Sequence, residues 1–387
     1  ATTADHREFL FTATAETVTL SDDGDPGDDE SLITSTEGTP VTFTTPGVSL
    51  LVATGTEGPG NDDTVNVEGV DSLFDADLSI QCGDDDAVDF TGAVDLNGGN
   101  LTVNSGVISV HDTLATEGGN VNLESTTSTT VAGLIDAGTG DIALTTDQIE
   151  ITSGGLRGMG GLLLQPLGAT TSIGLAGGAG TFNLDATELA LLQDGFSGIT
   201  FGWAGAHEIT VGAFSFADPV MIRTPFGGSI TINGQLDTLA AGGPAAIELI
   251  GPGGTTTLNA DIITAGAPVV INDSVLVNGT RTIRTTGALA NVNGGAVQIT
   301  GPIDGANPGG TDTLTIDAAK GIVDGDGDAA VTLDSAVEGG AGAQSITGWE
   351  DLQGLTIDGG QIDLADVRVV GSIAVTGTDI DLNGTAY

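Results

Sequence analysis

Apolar and polar residues alternate in short runs along this chain. Examples are "LTVNS" (101–105), "VNLES" (121–125), "DIALTT" (141–146), "SITING" (229–234) and "VQITG" (297–301). A period of two is the mark of a strand with one buried face. Gly, Asn and Asp separate the runs and read as turns, with Asn-Gly at Asn97, Asn233, Asn278, Asn293 and Asn383.

The runs recur at a nearly fixed step. After a Gly-containing turn the first inward apolar residues are Leu101, Val121, Ile142, Leu162 and Phe182, spaced by 20, 21, 20 and 20 residues; Ile209 to Ile230 is 21 more. A strand and a turn repeating at this length are the signature of a solenoid. The pattern predicts an all-β chain folded as a parallel β-helix of about 20–24 residues per coil. Leu101, Val121, Ile142 and Leu162 should stack as one ladder, and turn residues such as Asp147 should face solvent. Residues 1–45 read as an N-terminal β segment, either an atypical first coil or an assembly element. Residues 46–387 read as the β-helix, its step loosening after Val297.

One stretch breaks the pattern. "LDATELALLQDGFSG" (184–198) has Asp185 as N-cap and Glu188 three residues on, a capping-box spacing. Leu189, Leu192 and Phe196 share one helical face, and Gly195 suits a left-handed C-terminal cap. A short helical insertion near 185–195 is predicted, packed against one side of the stack.

Charge narrows the function. Asp and Glu number 53 against 7 Lys and Arg, for a net charge of −46, yet 39% of residues are hydrophobic. The acid therefore coats an ordered core rather than solvating a disordered chain. Phosphate recognition needs clustered cations, so nucleic acid is excluded as a partner. No apolar run approaches the roughly 18 residues that span a bilayer, so no membrane insertion is expected. Cys82 is the only cysteine, which rules out an internal disulfide framework and reads as a small buried side chain. The chain begins at Ala1 without Met, which reads as a processed chain or a fragment.

The stretches "DDAVDFTGAVDLNGGNLTVNSGVISV" and "LDATELALLQDGFSGITFGWAGAHEITVGAF…DPVMIRTPFGGSITINGQL" resemble repeats of filamentous-haemagglutinin-like and autotransporter-like secreted proteins of Gram-negative bacteria. The resemblance covers about residues 60–300 and rests on repeat phrasing. It implies a right-handed coil, export, and a structural or adhesive role at the cell surface.

Candidate chemistry lies in the acidic turns. "GPGNDDTVNV" (58–67) is a degenerate copy of the calcium-binding nonapeptide, with Asp62 at the ligand position and Asp63 beside it. "CGDDDAVDF" (82–90) is a second copy, carrying Asp84, Asp85 and Asp86. "DGDGD" places Asp324, Asp326 and Asp328 as the first three ligands of an EF-hand-like loop, but Ala329 and Ser335 stand where Gly and Glu belong. These eight aspartates are the expected metal ligands, with Ca²⁺ the implied cation. "DDGDPGDDE" (22–30) holds six acids in nine residues and reads as an exposed loop or a further cation turn. No nucleophile elbow, phosphate loop or dinucleotide fingerprint is present, so no enzyme is expected. His6, His111 and His207 form no zinc-spaced pair, and Arg281 and Arg284 beside Asp273 are the only hint of a polysaccharide-cleaving group.

The sequence thus points to a secreted, extracellular structural β-solenoid, assembling head to tail into a filament through its N- and C-terminal coils. The alternative is a carbohydrate-binding or polysaccharide-cleaving β-helix, with a glycan or another surface protein as partner.

Overall fold

Three consecutive residues set the coil in the regular part of the chain: a glycine, an Asn or Asp, and an inward apolar residue. They are Gly99-Asn100-Leu101, Gly119-Asn120-Val121 and Gly140-Asp141-Ile142. In the computed structural model, which describes residues 5–13, 15–55, 62–241, 243–286, 294–307, 311–318, 331–333, 354–364, 372–377 and 379–382, each member has its own task. The glycines meet the backbone of the preceding coil. A Cβ on Gly119 would sit 2.1 Å from the Gly99 carbonyl oxygen, and one on Gly140 would sit 2.1 Å from that of Gly119. Only a residue without a side chain fits so close an approach.

The Asn and Asp side chains form a polar ladder. Asn100 Oδ1 accepts from Asn120 N at 2.9 Å, Asn120 Oδ1 from Asp141 N at 2.9 Å, and Asp141 Oδ1 from Gly161 N at 2.6 Å. The apolar members pair in register as Leu101–Val121, Val121–Ile142 and Ile142–Leu162, all parallel. All four are buried. Each such side chain contributes about 1.5–3 kcal/mol of burial, so the ladder holds coil to coil by packing as well as by hydrogen bonds.

The chain falls into two units: Ala1–Thr171 with Thr181–Ile199, and Ser172–Gly180 with Thr200–Tyr387. In the first, three strand rows stack in parallel. One runs through Ser49–Thr54, Asp77–Gln81, Leu101–Val110, Val121–Val131, Ile142–Thr145 and Gly161–Gln165. A second joins Thr64–Val67, Ala87–Phe90, the later halves of the two long strands and Ile149–Ile151. The third is Val94–Asp95, Leu114–Ala115, Leu134–Asp136 and Gly155–Arg157. The second unit repeats this logic with less regular steps. Ile209 pairs with Ile230 as expected, and another row joins Val220–Arg223, Ile247–Leu258, Val269–Val277 and Val297–Ile299. An Asn ladder recurs here, with Asn259, Asn278 and Asn307 Nδ2 donating in turn to Asn233, Asn259 and Asn278 Oδ1 at 2.7, 2.7 and 2.9 Å. The architecture is all-β and solenoid-like, with long parallel sheets.

The N-terminal segment uses the same registers. His6–Phe11 pairs in parallel with Ser49–Thr54, and Thr17–Asp22 with Thr64–Val67. Glu30–Ser35 and Val41–Thr44 depart from this, running antiparallel beside Thr17–Asp22. They bring buried Phe43 to 5.1 Å from the Phe9 ring and under the Arg7 guanidinium.

Two expectations are corrected. Phe182 does not extend the Leu162 ladder; Phe182–Leu184 packs beside Ile149–Ile151. The helix, Ala186–Leu189 (α1), is a single turn ending at Ala190, so Gly195 is not its cap although its φ is +131°. The capping box is present: Asp185 accepts from Thr187 N and Glu188 N, and Glu188 Oε2 accepts from Asp185 N at 2.7 Å. Strand pairing ends the helix early. Leu191 O accepts from Leu156 N, and Gln193 N donates to Leu156 O at 2.9 Å, so the residues after α1 supply the next rung of the third row. Leu189, Leu192 and Phe196 are buried as expected.

Asp147 does lie in the turn between Ile142–Thr145 and Ile149–Ile151, but it is half-buried there rather than facing solvent alone. It accepts from Gly168 N at 2.8 Å and Thr171 Oγ1 at 2.9 Å. In urea unfolding, Ile142→Asp should cost more than about 4 kcal/mol, because it buries an unpaired charge between two rungs. Asp147→Asn should cost about 1 kcal/mol, and outward-facing Glu150→Gln should be silent. Equal midpoints for Ile142→Asp and Glu150→Gln would refute the register.

Candidate cation site

The turn joining Thr17–Asp22 to Glu30–Ser35 is acidic for a reason the backbone makes visible. Its residues fold back through short side-chain bonds: Gly24 N donates to Asp22 Oδ1 at 2.6 Å, Asp25 N to Asp23 Oδ1 at 3.1 Å, and Glu30 N to Asp28 Oδ1 at 3.0 Å. Such bonds are the habit of Asp in tight turns. Gly24 and Gly27 take φ of +102° and +92°. Asp71, fully buried, anchors the turn by accepting from Gly27 N at 2.6 Å, Asp29 N at 3.2 Å and Leu73 N at 2.8 Å. Burial alone would raise its pKa, but backbone N–H groups from Gly27, Leu73, Asp29 and Ser72 outweigh that and hold it below the usual carboxylate range. Its share of stability is therefore present at neutral pH and lost in acid.

This folding gathers three carboxylates. Ligand oxygens of Asp23, Asp28 and Glu30 all lie within 4.8 Å of one another. Oxygens bound to one Ca²⁺ at about 2.4 Å sit at most about 4.8 Å apart, so the three fit a shared ion with water completing its shell. The Asp28 carboxyl is held above its ordinary pKa by partial desolvation and by the charges of Asp23, Asp25 and Asp71, against a lowering bond from Glu30 N. Mutual repulsion of this kind is relieved by a proton or a cation.

The expected ligands lie elsewhere. Asp62, Asp84 and Asp85 are exposed, whereas Asp63 and Asp86 are buried. Asp63 Oδ1 accepts from Glu16 N at 2.6 Å; Asp86 accepts from Asp63 N at 2.9 Å, Gly83 N at 2.6 Å and Thr54 Oγ1 at 2.7 Å. These two carboxylates tie the corners of successive coils and are turned towards the chain's own donors. Among the described residues the five aspartates do not converge as a three-ligand group. Asp324, Asp326 and Asp328 lie outside the described residues. Six acids in nine residues were the available signal for the Asp23–Asp28–Glu30 cluster. It was weak because density alone does not tell converging carboxylates from splayed ones.

The cysteine, the histidines and the Arg281–Arg284 pair have other surroundings. Cys82 is half-buried, and burial pushes its thiol up to about 11. His6 Nδ1 bonds Ser49 Oγ, His207 is buried against Ala204 O, and His111 is exposed. Arg284 pairs with Asp317 and Arg281 Nε donates to Asn278 O, so neither serves Asp273. That residue is 3% exposed and accepts from Ser274 N at 2.8 Å and Thr256 Oγ1 at 3.1 Å. Burial pushes its carboxyl up to about 7.

Two measurements follow. Melting should rise with millimolar Ca²⁺ beyond the effect of Na⁺ at equal ionic strength, and Asp28→Asn should remove most of the difference. Identical curves in the two salts would exclude a folded-state calcium site. For Asp273, the folded state keeps the proton to about pH 7 while the unfolded chain releases it near about 4. Stability is thus full in acid and lost as pH rises through that window. Asp273→Asn should be neutral at pH ~4 and stabilise by about 2 kcal/mol at pH ~8, read by urea unfolding.

Comparison of the chain with protein-family models, with curated protein sequences and with solved structures gives no match.

Proposed function

We propose that this chain is a right-handed parallel β-helix that serves as a secreted structural protein of the bacterial cell surface or matrix, joining copies head to tail. The handedness rests on the strong preference of parallel strand crossovers for the right-handed sense. Export and surface location rest on the resemblance of the repeats. The observation that carries assembly is a pair of apolar rungs left part-exposed among the described residues. Leu355 and Ile362 are fully buried, but their register partners Ile373 and Ile380 are each 43% exposed. The ladder reaches these two residues and lacks its next rung among the described residues.

A second copy offers that rung. His6–Phe11 has its registered partner on one side, Ser49–Thr54, and carries Leu10 at 62% exposure. Adding it to the Ile373 and Ile380 layer would continue the strand rows from copy to copy. Such a contact is heterologous and propagates unless it closes into a ring. With a charge of −46 on each copy, association requires salt or divalent cations. The Asp23–Asp28–Glu30 turn is the cation site we assign to this role, with Ca²⁺ as the ion.

The test is electron microscopy and sedimentation of the full chain with Ca²⁺, beside Ile373→Asp and Ile380→Asp. Filaments are expected for the parent, and their loss in the variants with far-UV circular dichroism unchanged. A parent that stays monodisperse, or variants that polymerise as well, would overturn the assembly.

A further inference from the structure

The chain carries few aromatic residues, 4% in all, and puts most of its phenylalanines inside. Two aromatic rings of the second unit break that habit. Trp203 is 48% exposed and Phe226 71% exposed. They stand on neighbouring loops that are fastened to each other. Phe226 N donates to Gly205 O at 3.1 Å, His207 N donates to Thr224 Oγ1 at 2.7 Å, and the Thr224 hydroxyl donates back to His207 O at 3.1 Å. Gly202 is pressed so close that a Cβ there would lie 2.4 Å from Arg223 O. The rings are thus presented by rigid loops, at little ordering cost to a ligand.

A cation lies against one of them. The Arg223 guanidinium carbon lies 4.2 Å from the centroid of the Trp203 ring. Its Nε is sealed from solvent with no acceptor. Among the described residues Arg157 and Arg284 have carboxylate partners, whereas the Arg223 guanidinium makes no ion pair or hydrogen bond and keeps its ring contact alone. In a chain with 53 acids, an arginine that forms no ion pair among the described residues and rests against an exposed indole is an arrangement that packing does not require.

We propose that Trp203, Arg223 and Phe226 form a binding site for a neutral pyranose glycan. The two rings offer flat apolar faces for the C–H faces of sugar rings, and the guanidinium offers N–H donors for their hydroxyl oxygens. Neutrality follows from charge: a net −46 repels acidic polymers. A peptide strand is disfavoured because Phe226 N and His207 N are already bonded, leaving no open backbone edge here for strand addition. This site is independent of the cation turn and of the assembly layer.

The test is affinity electrophoresis of the full chain through gels containing hydroxyethyl cellulose, laminarin or galactomannan, with polygalacturonate as the acidic arm. Retardation by at least one neutral polymer is expected, insensitive to added NaCl. Trp203→Ala and Phe226→Ala should each weaken it about tenfold, with melting temperature retained; Phe226, being the more exposed, guards against a folding artefact. Arg223→Met should weaken it while Arg223→Lys partly restores it. Several outcomes would overturn the site. They are no retardation by any neutral polymer, retardation by polygalacturonate alone, retardation of both aromatic variants equal to that of the parent, or self-association that Trp203→Ala abolishes without glycan binding.

Discussion

Each coil must lie directly over the one before it, one strand spacing away, and the rest of the structure answers to that demand. At about 4.8 Å between strands there is no room for a side chain where Gly119 passes Gly99 or Gly140 passes Gly119. The same spacing suits an Asn side chain reaching the next backbone N–H, as Asn100 and Asn120 do. It also stacks Leu101, Val121, Ile142 and Leu162 in contact. Core, turn and polar ladder are therefore three consequences of one distance.

That is why so much of the regular region was legible in the sequence. The Gly-Asn-apolar triplet recurs at a fixed step, and the step is the register. Legibility failed where an inserted loop absorbed residues without changing the stack. Phe182 kept the interval but packs beside Ile149–Ile151, and the third row resumes beside Leu156 only at Leu192, after α1. The candidate cation site was harder still. Its ligands come from one turn, but their convergence depends on Asp71, some 40 residues later, holding Gly27 and Asp29 in place. No local pattern announces such an anchor.

The acids divide into two populations with different physics. Asp63, Asp71 and Asp86 are buried and take up backbone N–H groups at coil corners. They act as internal acceptors, and their charge is balanced by amide dipoles. Asp62, Asp84 and Asp85 are exposed and contribute to the repulsive field that salt screens. A motif that places two aspartates side by side, as at Asp62 and Asp63, can send one to each population, because neighbouring residues in extended chain point to opposite sides.

The glycine column also governs how such a chain can change in length. Removing residues 101–120 would join Asn100 to Val121, so that Val121 stands where Leu101 stood and Gly99 and Asn100 meet Gly140 and Asp141 in place of Gly119 and Asn120. Removing half as many would set side chains against carbonyl oxygens and turn the apolar face outward. Whole coils are thus the natural unit of gain and loss, while loops at the corners vary freely. For a chain built this way, internal duplication lengthens the protein without asking any residue to learn a new role.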